Sequence, residues 1–71
     1  VQYDQAISDC DKGLKLDPSR TELVALRGRC HADRGDSAAA FRDFAAAIER
    51  DPANAARYRL WRAQLHLALE D

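Results

Sequence analysis

The sequence predicts an all-α chain: four short helices, each antiparallel to its neighbour, stacked as a helical repeat. Three observations predict this. Apolar residues recur at helical spacing along almost the whole length. Strong breakers at Pro18, Gly35 and Pro52 separate the periodic stretches. The pattern also returns on itself, because Asp17-Pro18 is followed 34 residues on by Asp51-Pro52. A fixed period of that size marks stacked helical units.

The first helix is expected over 2–16, with Val1 at its start. Tyr3, Ala6, Ile7, Cys10, Gly13 and Leu14 fall on one face of it, and Gly13 permits close approach of a neighbour. Pro18 ends it, having no N–H to donate and disfavouring helical geometry at Asp17. Ser19 and Glu22 then form a capping-box pattern ahead of a second helix over 21–34. Leu23, Val24, Leu26, Cys30 and His31 supply its apolar side. Gly35 suits a left-handed C-terminal cap, and Asp36 suits the N-cap of the next helix. The third helix, 37–50, is rich in alanine and carries an apolar stripe of Phe41, Phe44, Ala47 and Ile48 beside Ala40. Asp51-Pro52 ends it, and Asn54 is placed to cap a fourth helix over 55–69. Tyr58, Trp61, Leu65 and Ala68 form one stripe of that helix, while Leu60 and Leu67 lie on another side. A helix apolar on more than one side is expected to be covered by a further helix or a partner.

Laying residues 1–20 over 35–54 matches Ala6 with Ala40, Asp9 with Asp43, Asp17 with Asp51 and Pro18 with Pro52. The complete unit runs over 21–54. It resembles the tetratricopeptide repeat, whose motif is W-x2-L-G-x2-Y, then A-x3-F, then P. The glycine falls on Gly28, the alanine on Ala40, the aromatic on Phe44 and the proline on Pro52, with a favoured small residue at Ala47 and Gly-Asp at Gly35-Asp36. The tryptophan, leucine and tyrosine slots hold Val24, Arg27 and His31 instead. In the second copy Arg62 takes the glycine slot. The resemblance divides the single segment 1–71 into the second half of a repeat (1–20), a complete repeat (21–54) and the first helix of a further repeat or a capping helix (55–71). It implies a right-handed solenoid, and a chain that starts in mid-repeat is expected of a piece of a longer one.

Composition narrows the function. With 32% charged residues and a net charge of −1, the chain has no basic field for nucleic acid. No apolar run approaches the ~20 residues of a membrane span. Seventy-one residues make one small domain with a marginal core. There is no Gly-rich phosphate loop, no His pair at i, i+4 and no serine in a nucleophile motif. Neither an enzyme nor a cofactor or metal site is therefore expected. Cys10 and Cys30 lack metal-ligand spacing and sit on apolar stripes, so both are expected to be reduced and largely buried, with a disulfide as the alternative.

The resemblance implies a protein–protein interaction module, with the first helix of each repeat lining a concave groove. At helical spacing that face is Glu22, Ala25, Arg29, Ala32 and Asp33 on the second helix, and Ala56, Arg59, Ala63 and His66 on the fourth. Arg29, Arg59 and His66 would supply donors above a floor of alanines such as Ala25 and Ala63, which suits an acidic peptide. The lysine, arginine and asparagine clamp of some members has Leu26, Ala56 and Leu60 in its places. Arg27 is expected to pair with Asp9 or Asp43, since an unpaired buried guanidinium is costly. Two rivals stand beside this reading. The apolar end helices would self-associate, or the repeats would position substrate for an enzyme domain elsewhere.

Overall fold

The computed structural model describes residues 2–70; Val1 and Asp71, assigned above to the first and last segments, lie outside the described residues. The order is α1 (Gln2–Leu16), α2 (Thr21–Arg34), α3 (Ser37–Arg50), a single 3-10 turn (Pro52–Asn54) and α4 (Ala55–Leu69), with no strand among the described residues. All four helices have the expected bounds, set by the breakers.

The ends are closed by chemistry that the sequence located only in part. Gly35 adopts φ 95°, and its N–H reaches the Ala32 carbonyl while that of Asp36 reaches the His31 carbonyl. This pair of bonds is the left-handed close expected of glycine. Asp36 caps α3 by accepting from the Ala39 N–H at 3.2 Å. The capping box at Ser19 and Glu22 does not form. Ser19 donates backward instead, from both its N–H and its hydroxyl, to Asp17 Oδ1 at 3.1 and 2.6 Å. Glu22 accepts from Arg20 Nε at 2.9 Å. A carboxylate two residues away is the stronger acceptor for the hydroxyl, so the turn wins over the cap. Asn54 likewise donates to Asp51 Oδ2 at 2.9 Å rather than capping α4.

The helices pack in chain order, α1 on α2, α2 on α3 and α3 on α4, and α2 also touches α4. Sequential pairs are antiparallel: Asp11 and Asp4 of α1 meet Arg27 and Arg34 of α2, and Phe44 and Phe41 of α3 meet Trp61 and His66 of α4. The result is a slab of 38 × 32 × 14 Å. Its core has two parts. Val24, Ala25, Ala47 and Tyr58 form one, with Leu14, Ile48 and Trp61 against it. Ala40, Phe44 and Leu65 form the other, with Ala32 and Phe41 against it. Three residues expected on apolar stripes are exposed: Tyr3 at 41%, Leu26 at 44% and Ala68. Tyr3 lies on a helix that packs on α2 alone, so much of its surface stays open.

Alanines and one glycine let the central pair approach closely. Ala25, Ala40 and Ala47 are fully buried. A Cβ at Gly28 would stand 3.0 Å from Phe44 Cε1 and 3.1 Å from Asp43 Cβ. Beside this contact Arg27 Nε and Nη2 bind the two oxygens of Asp43 at 2.9 and 2.8 Å, and Nη1 binds Asp11 at 2.8 Å. Asp43 is thus one expected partner, but the other is Asp11 and not Asp9. Asp9 and Asp11 point about 200° apart around α1, and only one of them faces α2.

Two stability measurements test this packing. Gly28→Leu should lower stability by about 1–3 kcal/mol, because the Phe44 ring and the Asp43 Cβ must both give way. A urea midpoint equal to the parent's would contradict the contact. Asp43→Ala should cost about 2–3 kcal/mol by leaving a half-buried guanidinium with one partner. Replacing Arg27 and Asp43 together by leucine should restore much of that loss, and a double variant no better than the single one would argue against the pair.

Candidate functional site

α2 and α4 run the same way, with Ala25 grouped with Tyr58 and Arg29 lying over Trp61. Between them opens a hollow of about 190 Å³. Arg29 and Ala32 of α2 line one side, Trp61, Gln64 and Leu65 of α4 the other, and Phe44 of α3 closes the floor. Asp33 and Ala68 lie at its far end. Trp61 is held in place by two rings, Tyr58 at 5.9 Å and Phe44 at 6.5 Å between centroids, both tilted. The Arg29 guanidinium sits 4.7 Å from the Trp61 ring centroid, where the face of the indole attracts a cation. Arg29 is exposed and forms no ion pair among the described residues. Its donors therefore stay open to a ligand while the ring beneath holds its position. The arrangement offers an apolar seat with a cationic lip.

The residues expected to line a groove divide. Arg29, Ala32 and Asp33 line the hollow. Ala25 does not; it is fully buried beneath the α2–α4 contact, because α4 packs directly on that face of α2. Arg59, Ala63 and His66 are exposed but stand outside the hollow. The His66 ring lies against Phe41 of α3 at 4.5 Å. The α4 face that turns to α2 is the one bearing Trp61, Gln64, Leu65 and Ala68, and His66 is about 100° around from Leu65. The sequence did contain the signal, since Trp61, Leu65 and Ala68 form a single stripe. That stripe serves as core at Leu65 and as site wall at Trp61 and Ala68.

The residues assigned to repeat packing lie inside the slab, with Gly28, Ala40, Phe44 and Ala47 buried between helices. Pro52 is exposed at the start of the 3-10 turn. No group of three metal-ligating side chains occurs among the described residues, and no described helix is long and apolar enough to cross a membrane. Both cysteines are free thiols. Cys10 is buried, but Cys30 is only partly so, a correction to the expectation that both are largely enclosed. Cys30 falls two residues past the close contact at Gly28, on the rim of α2. Burial holds both thiols above the usual thiol range, and the Asp33 carboxylate adds to this at Cys30. The chain matches no family model, no curated protein and no solved structure.

Alkylation of the native protein should therefore be slow at neutral pH and accelerate as pH rises, with Cys30 reacting before Cys10. Mass spectrometry of partially alkylated protein reads the order. Cys10 modified first, or no free thiol after denaturation without reductant, would contradict the assignment.

Proposed function

We propose that this chain is a protein–protein interaction module of the tetratricopeptide-repeat kind, which holds a peptide in the groove between α2 and α4. The observation that carries the reading is the hollow itself, with an aromatic wall fixed by two neighbouring rings and a lip cation without an internal partner. Three features support the repeat architecture. α1 and α3 are related by 34 residues, as are α2 and α4. Each helix is antiparallel to the next. The corresponding helices α2 and α4 touch side by side, as stacked units must to make a continuous groove. An extended peptide fits such a site through one apolar side chain against Trp61 and an acidic group near Arg29. Nothing in this reading requires catalysis or a cofactor.

One observation favours a second reading, self-association or packing on an adjacent domain. Leu60, Leu67 and Leu69 of α4 are 57, 68 and 56% exposed. Sedimentation over a concentration series tests it; a monomer throughout would exclude self-association at those concentrations.

Trp61 is the only tryptophan of the chain, so its emission reports occupancy of the hollow directly. Peptides bearing an apolar residue near an acid should shift that emission. Arg29→Ala should then weaken binding about tenfold, equivalent to ~1.4 kcal/mol. A peptide that binds with unchanged emission and is indifferent to Arg29 would place the partner elsewhere.

A further inference from the structure

The same groove has a second, polar hollow at the other end, of about 530 Å³. Glu22 lines it and stands seven residues before Arg29, on the same face of α2. Arg57 lines it and stands four residues before Trp61, on the same face of α4. The two hollows therefore lie in line along one pair of helices.

Tyr58 joins them. Its ring belongs to the core and only 2% of the residue is exposed, yet it also lines the polar hollow. Its hydroxyl has no hydrogen-bond partner among the described residues. Burial holds the phenol above its usual range, and Asp51 and Glu22 push it further, so the group is a neutral donor at physiological pH. The hydroxyl oxygen is itself reached by solvent, since His31 Nδ1 is the enclosed side-chain polar atom without a partner among the described residues, so water or an occupant of the polar hollow can accept from it.

The charges around it are unequal. Arg20 and Glu22 neutralise each other at 2.9 Å. Arg50 makes only a 3.5 Å contact to the Pro18 carbonyl, and Arg57 makes no ion pair among the described residues. Against these two guanidinium groups stands one carboxylate, Asp51, whose Oδ2 accepts from Asn54. The surplus is a single positive charge. It matches a carboxylate, whereas a phosphate dianion would exceed it by one charge.

We propose that this end of the groove is a carboxylate subsite, in which the Tyr58 hydroxyl and the guanidinium groups of Arg57 and Arg50 hold a glutamate or aspartate side chain of the bound peptide. The inference rests on the groove reading given above and adds a spacing to it. Arg57 stands four helical residues before Trp61, a rise of about 6 Å, and the Tyr58 and Trp61 ring centroids are 5.9 Å apart. An extended peptide rises about 3.3 Å per residue. The acid and the apolar side chain that sits on Trp61 are therefore about two residues apart.

A peptide array tests this. Each member carries one leucine or phenylalanine and one glutamate, separated by one to six residues in either order, with glutamine counterparts, and binding is read by Trp61 emission and by anisotropy of the labelled peptide. The expected result is tightest binding at a separation near two, weakened about tenfold by Glu→Gln. Tyr58→Phe keeps the ring and removes the hydroxyl. It and Arg57→Ala should reproduce that loss with the glutamate peptide and leave the glutamine peptide unchanged. Equal affinity for glutamate and glutamine peptides, or indifference to Tyr58→Phe, while Trp61 still responds, overturns the subsite and leaves the groove reading standing. No Trp61 response from any member overturns both.

Discussion

Arg27 ties three helices together through one guanidinium group. It leaves α2, binds Asp43 of α3 with two parallel bonds, and binds Asp11 of α1 with a third. The position is one where an apolar residue would pack more cheaply, since desolvating an ion pair offsets most of its attraction. What the tie supplies is geometry. A bidentate fork accepts one rotation of α2 against α3, and the added bond to Asp11 sets α1 in the same frame. Gly28 is part of the same device. Asp43 Cβ lies 3.1 Å from where a Cβ of Gly28 would stand, so the missing side chain is what admits the carboxylate to Arg27.

That constraint passes to the site through consecutive residues. Arg29 follows Arg27 by two, about 200° around the helix, so the face opposite the tie is the one that turns to α4. Phe44 follows Asp43, packs over Gly28, and presents its other side to Trp61. Trp61 in turn carries Arg29. Fixing α2 against α3 thus fixes the wall and the lip of the hollow without a bond directed at either. A site on packed helices is held more firmly than one on loops, and here every lining residue of the apolar hollow belongs to a helix.

The helices were legible because their limits depend on single residues with strong local effects. Pro18, Pro52 and Gly35 act through their own backbone and need no tertiary context. Caps were less legible. Ser19, Glu22 and Asn54 each had a competing partner within three residues, and the competition was decided by Asp17, Arg20 and Asp51. The site was half legible for a related reason. On α2 the polar and apolar sides are distinct, so Arg29, Ala32 and Asp33 could be assigned to one face. On α4 apolar residues surround the axis, and periodicity alone does not say which stripe meets α2. Trp61 resolves this in three dimensions because it is large enough to belong to the core and to the hollow at once. Ala25 shows the converse: a small residue on the right face is a floor only if nothing packs on it, and α4 does.

The net charge of −1 conceals how the charges are used. Acids of α1 and α3 are engaged by α2: Asp11 and Asp43 by Arg27, and Asp4 by Arg34, which also reaches Asp36. α4 carries Arg57, Arg59 and Arg62 and no acidic residue between Ala55 and Leu69. None of these three, nor Arg29, has an ion-pair partner among the described residues. Several charges of α1, α2 and α3 are thus engaged in internal pairs, whereas the arginines of α4 have none among the described residues. A long-range field is absent because the sum is near zero, but within a Debye length of α4, about 8 Å at physiological salt, the local balance decides. Any effect of these unpaired cations is therefore confined to contact range, where desolvation against Arg29 or Arg57, and not attraction from afar, sets the strength of an ion pair.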